Sequence, residues 1–261
     1  MIFDDIVTHQ PLWVLIFAIF IGLVACEYAG AIVTKRLQER LKPVAPDRDG
    51  LDYVVSSAFA LLGLLVAFTF GMALDRYEAR RDLVVQEANA IGTAHIRTAF
   101  ANEPGRTALR EQLEIYAENR LAYGNATFDK KAVIAAKSAA LRAEIAVAGV
   151  NASQNISSAP LGPSLIASMN DVIDIGSARE AANLARVPPS VLFLLLGYAL
   201  ISAFLMGYVQ ADSGARQRLA SRILFMLLTL SLVTILDLDR PAGGAIKVSQ
   251  QPIIDLIASF S

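Results

Sequence analysis

Two short charged runs carry most of the chemistry this chain can offer. Asp75-Arg76-Tyr77-Glu78, with Arg80 and Arg81 following, stands at the end of one apolar block, and Asp237-Leu238-Asp239-Arg240 stands at the end of another. Opposite charges at the rim of a helical bundle can pair, Arg76 or Arg80 with Asp237 or Asp239, and tether two helices. In a ring of subunits the same arginines would surround the mouth of an axial passage and concentrate anions there. Glu27 is a third candidate, because it lies inside an apolar block. A carboxylate at that depth is costly, so it either reaches the interface, pairs with an arginine there, or serves a function.

Enzyme chemistry has no comparable footing. No Gly-rich phosphate loop follows a strand, and no Ser/His/Asp set or metal-binding His/Glu spacing occurs. Cys26 is the single cysteine, which leaves neither a disulfide framework nor a thiolate metal site. Of the two histidines, His9 and His95, the second follows Glu87 by eight positions and would meet a carboxylate only from another subunit; its ordinary role is structural. Glu87-Ala-Asn-Ala-Ile-Gly reads as a tightly packed helix face, with Asn89 placed to bond a neighbouring helix. No catalytic residue, metal or cofactor is expected. With 23 basic and 24 acidic residues the net charge is −1, so no basic surplus points to nucleic acid.

The elements that must position these residues are helices. The chain of 261 residues is 55% hydrophobic with a mean hydropathy of +0.49, and its apolar residues come in blocks. Spans are expected at about 11–34, 53–74, 190–209 and 219–236, each near the ~20 residues that cross a bilayer core. The fold class is all-α, a four-transmembrane-helix membrane protein with a helical soluble insert between the second and third spans. Division falls at 1–75, 76–187, 188–240 and a tail 241–261. Met1–Gln10 carries Asp4 and Asp5 and no basic residue, unlike a signal peptide, so the first block is expected to be retained. Lys35–Lys42 reads as a short basic amphipathic piece, and Pro43–Gly50 as a turn.

The second span is the organising element. From Tyr53 to Leu74 it has no charged side chain, and after Asp75 apolar residues recur at helical intervals without proline until Asn102-Glu-Pro-Gly. One helix of roughly 75 Å is expected, half of it outside lipid. Gly63, Ala67 and Gly71 form a small-residue stripe that admits a close neighbour, and Leu64, Phe68 and Met72 form a second stripe about 100° round. One can pack while the other faces an axis. Beyond it the insert, with 13 basic and 12 acidic residues over 76–186, should hold helices at roughly 105–122, 129–148 and 163–185, with a polar loop at Asn151–Pro163. The tail holds an extended Ile246-Lys-Val-Ser and an amphipathic piece, Pro252–Phe260.

Four spans put both termini and the insert on one side of a bacterial inner membrane. The connections Lys35–Asp52 and Gln210–Arg218 carry seven basic residues, the N-terminal tail none and the C-terminal tail two. Excess positive charge marks the cytoplasmic side, which places the insert in the periplasm.

Phe68, Ala73 and the run Asp75-Arg76-Tyr77-Glu78-Ala79-Arg80 are similar to the end of the second transmembrane helix of bestrophins. Leu65–Arg97, taken with Asp237-Leu-Asp-Arg-Pro-x-x-Gly-x-Ile-x-Val-Ser-Gln, resembles the bacterial bestrophin-like domain family known as DUF4239, over most of the chain. Bestrophins are pentameric anion channels whose second helix lines the pore through an apolar neck spaced by four. The resemblance implies a neck at Ala60, Leu64 and Phe68, to which the chain's own stripe adds Met72. It also implies a cytosolic insert, against the positive-inside count. The acidic calcium clasp of animal bestrophins is not recognisable in this chain. Two readings follow. One is a homo-oligomeric anion channel lined by the second span, with membrane lipid, copies of itself and anions as partners. The other is a membrane-anchored sensor or scaffold whose insert binds a partner or ligand. The sensor needs the Leu64/Phe68 face buried within one subunit and a pocket or apolar patch in the 105–185 bundle, and the channel needs that face free to meet symmetry mates.

Overall fold

In the computed structural model, residues 10–40, 48–154, 156, 160–211 and 214–260 are described. Residues 1–9, most of the expected Pro43–Gly50 turn, the middle of the Asn151–Pro163 loop and residues 212–213 lie outside that set, and with them Asp4, Asp5 and His9. No strand occurs among the described residues. Helix α1 is Leu12–Arg40 and α2 is Arg48–Arg97; α3 is Gly105–Asn125, α4 Phe128–Gln154 and α5 Leu161–Leu184. They are followed by α6 at Pro189–Val209, α7 at Ala215–Asp239 and α8 at Gln251–Ala258. Among the described residues, four helices are long and apolar enough to cross a membrane: α1, α2, the one ending at Val209, and α7.

Helix ends depart from expectation for local reasons. Lys35–Arg40 is no separate piece, since α1 runs straight through it; Lys, Arg, Leu, Gln and Glu are good helix formers and no breaker comes before Pro43. The second helix is continuous for 50 residues and closes in a 3-10 turn at Thr98–Phe100, just ahead of Pro104. Pro189 opens α6 at its first turn, where a missing N–H costs nothing.

The chain divides into two compact units. The first is Met1–Asp75 with Arg186–Arg240, and the second is Arg76–Ala185 with Pro241–Ser261. In the first, α1 packs on α6 and α7. Its tightest point is made by two glycines. A Cβ on Gly207 would stand 1.8 Å from the Glu27 carbonyl oxygen, and one on Gly30 would stand 2.1 Å from that of Phe204. The Thr34 hydroxyl donates to the Tyr208 carbonyl across the same seam, at 2.6 Å. Close backbone approach of this kind is how helices associate where lipid removes the hydrophobic drive.

The second unit has a water-soluble protein's core. Ile91, Leu109, Leu113, Ile145, Leu165 and Val172 are fully buried together, and each contributes about 1.5–3 kcal/mol by leaving water. The C-terminal α8 closes this core, with Ile253 against Val84 and Ala88.

Candidate functional site

Within the first unit, α2 buries one line of residues and leaves another open. Leu62, Thr69 and Ala73 are buried, and the Thr69 hydroxyl donates to the Leu65 carbonyl at 2.8 Å, so its burial leaves no unmet donor. Ala60, Leu64, Phe68 and Met72, spaced by four, lie roughly 140° away on the helix. All four are exposed, Leu64 at 52% and Phe68 at 65%. Beside them, nothing approaches within 4 Å of where a Cβ on Gly63 or Gly71 would be. Among the described residues, none covers the large-residue stripe, and of the small one Gly63 and Ala67 are exposed and Gly71 half-buried.

The rim charges differ in setting. At the end of α7, Asp237, Asp239 and Arg240 are buried. The Val187 N–H donates to Asp239 Oδ1 at 2.8 Å, and Arg186 Nη1 donates to the Asp239 carbonyl at 3.0 Å, which ties the approach to α6 onto the end of α7. Burial pulls the Arg240 guanidinium below its ordinary pKa, and Asp237 beside it opposes that pull. Asp75 is exposed. In the second unit Arg80 is buried, Arg76 half-buried, and Glu78 and Arg81 exposed. Glu27 is buried and forms an ion pair with Arg222 of α7, close to that helix's start.

A charge cluster in the second unit went unread in the sequence. Glu87 is fully buried on α2 and accepts from Arg120 Nε at 2.6 Å, from the Tyr116 hydroxyl at 3.1 Å and from Arg179. Glu180 accepts from Arg120 at 2.8 Å and, through both oxygens, from Arg142 at 2.8 and 3.0 Å. Arg179 also donates to Gln250 Oε1 at 2.5 Å, which binds the C-terminal segment to α5. Burial pushes the Tyr116 hydroxyl well above its ordinary pKa, more than Arg120 lowers it, so it remains a donor. Gly176 makes room for that hydroxyl, as a Cβ there would lie 2.2 Å from it.

A signal for this cluster was present. Arg120 falls in phase with Leu109, Leu113 and Tyr116, and Arg179 in phase with Leu165, Met169, Val172 and Gly176, so both stand on apolar stripes. Two expectations are corrected. His95 meets a carboxylate inside its own chain, Glu114 at 3.0 Å, because α3 folds back along α2; its ring also stacks near Phe260, 4.3 Å between centroids. Asn89 points outward, and the packed face is carried by Glu87, Ala88, Ala90 and Ile91. No group of three or more metal-ligating side chains occurs among the described residues.

Comparison with known proteins gives a consistent picture. A family model for the bestrophin-like domain matches residues 14–253. A mutant of a bacterial bestrophin homologue from Klebsiella pneumoniae superposes with a TM-score of 0.66 at 13% identity, covering 96% of this chain and 99% of its own. A further structure of a bacterial bestrophin homologue from the same organism gives 0.60 at 11% identity, over 95% and 99%. At such identities the likeness is one of fold. No curated protein sequence matches the chain.

Proposed function

The chain belongs to the bestrophin-like family and is a multi-pass membrane protein, and on that premise we propose that it is a homo-oligomeric anion channel lined by α2. The observation that carries the reading is the uncovered Leu64/Phe68 face of a membrane-spanning helix. Copies arranged about an axis would turn Ala60, Leu64, Phe68 and Met72 inward as a neck, while Gly63, Ala67 and Gly71 let adjacent copies approach. An apolar ring passes ions according to how easily they shed water, and it closes by dewetting. Large, weakly hydrated anions would pass best. Arg76 and Arg81, at the end of the apolar stretch, would raise the local anion concentration. The sensor or scaffold reading requires the same face to be buried within one chain, and there it is open.

On this reading the unit 76–187 is a soluble insert between the second and third spans of an inner-membrane protein. The placement of α2 is tested by cysteine cross-linking in a Cys26→Ala background. Oxidation of Phe68→Cys should give covalent dimers of the purified protein, whereas Phe17→Cys, exposed on α1, should not. Equal yields from both, or none from Phe68→Cys in assembled protein, would remove α2 from an axis.

A further inference from the structure

The first unit holds a cavity of about 250 Å³ walled by α1, α6 and α7. It runs beside Leu15 to Gly22 of α1 and Leu192 to Leu200 of α6, with Leu232 and Leu236 of α7 in its third wall. Its lining is Leu, Ile, Ala and Gly throughout, and no polar side chain reaches it among the described residues. The α7 wall is buried, as are Leu15 and Leu195, while Ala18 is exposed and Gly22 and Leu200 half-buried, which leaves one side open between α1 and α6.

The cavity exists because α1 and α6 diverge. At the Gly30–Gly207 seam the two backbones touch, whereas a Cβ on Gly22 would meet the end of the Leu200 side chain, at 3.6 Å. Further toward Leu15 and Leu192 the two helices leave space that neither fills. That space follows the helices, since Leu15 to Gly22 rises about 10 Å and Leu192 to Leu200 about 12 Å. In spanning helices this direction lies close to the membrane normal. Trp13, exposed on α1 just ahead of Leu15, marks the shallow end as the membrane–water interface, where tryptophan concentrates. A cavity lined by hydrocarbon stays dry, and one of roughly 150 Å³ already takes a benzene-sized guest. Left empty, it would deprive its lining of dispersion partners.

We propose that one acyl chain of a membrane phospholipid occupies this cavity and completes the packing of α1 against α6 and α7 at that end. The chain enters sideways from its own leaflet, between Ala18 and Gly22 on one helix and Leu196 and Leu200 on the other. Its carbonyl end lies toward Trp13 and its tail toward Gly22. Polarity, direction and length all match: the slot is apolar, runs along the membrane normal, begins at the interface and continues for about 10 Å. A side chain from a second copy would fill one end of such a slot, and no residue of α2 lines it among the described residues. The site rests on the membrane-spanning helices alone and stands apart from the Leu64/Phe68 stripe, so its test requires no ion flux.

The experiment places the full-length protein in liposomes of phosphatidylcholine that carries a photoreactive diazirine midway along one acyl chain, and maps the labelled residues by mass spectrometry after irradiation. Labelling should concentrate on Ile19, Leu196 and Leu200 and exceed that of Leu194, which is exposed on the outside of α6. Ala18→Phe fills the mouth and should lower labelling of the cavity residues several-fold while Leu194 keeps its level. Leu196→Ala enlarges the cavity without adding bulk and should raise labelling of Ile19 and Leu200. Stripping lipid in detergent should lower the unfolding temperature of the wild type more than that of Ala18→Phe, whose ring stands in for the missing chain. Cavity labelling no higher than at Leu194, labelling undiminished by Ala18→Phe in folded protein, or labelling that falls in Leu196→Ala would overturn the site. Ala18→Cys in a Cys26→Ala background tests the other occupant: monomer after oxidation is expected, and covalent dimers would assign the cavity to a second copy and overturn the acyl chain.

Discussion

Glu87 is fully buried with two guanidinium groups and a phenol around it, so its loss would leave buried charge without compensation. Glu87→Gln should destabilise the second unit by about 3–5 kcal/mol, the usual result of breaking one side of a buried pair. Asn89→Ala, two residues on and exposed, should change stability by less than about 0.5 kcal/mol. Thermal unfolding in detergent reads both. Tyr116 gives a pH signature. Its folded pKa is raised, so its stabilisation is whole below the ordinary phenol value of 10.0 and is lost as pH climbs above it. Stability should be level between pH 7 and 9 in this respect, and the decline above pH 10 should be shallower in Tyr116→Phe. Reading such residues from sequence was feasible only in part. That Arg120 and Arg179 are buried follows from their phase with apolar neighbours. Which carboxylate each would meet depends on how four helices are rotated against one another, and no local spacing encodes that.

At the scale of elements, the two kinds of glycine should respond oppositely. Gly207→Ala drives a methyl into the Glu27 carbonyl, so α1 and α6 must separate. Forced overpacking of this kind costs about 1–3 kcal/mol, and the Glu27–Arg222 pair shifts with it. A Cβ at Gly63 has nothing within 4 Å among the described residues, so Gly63→Leu should keep the monomer's fold. If copies pack through that stripe, the assembly should dissociate, which light scattering after size exclusion would detect. Helix existence was plain from apolar runs and from the lack of proline between Gly50 and Asn102. The ends of α1 and α4 were less plain, since each helix continues into a charged or polar stretch that composition marks as separate, to Arg40 and to Gln154. His95 shows the same limit, because its carboxylate partner comes from α3, 19 residues later, and only the turn that folds α3 back brings them together.

For the whole molecule, the basic connections argue for a periplasmic insert, whereas the resemblance to bestrophins argues for a cytosolic one. Asn151→Cys, at an exposed position, in a Cys26→Ala background decides between them. Labelling of intact cells by an impermeant thiol reagent, after permeabilising the outer membrane alone, is the result the positive-inside count predicts. Labelling only after lysis would place the insert in the cytoplasm. The claim on which the functional account depends is that anions cross through the α2 stripe. It is tested most directly by halide flux into liposomes carrying the purified protein, Phe68→Ala and Phe17→Ala. Flux above empty liposomes that changes several-fold with Phe68→Ala, and stays at the wild-type level with Phe17→Ala, is the predicted result. No flux from folded, assembled protein, or equal change in both variants, would contradict it.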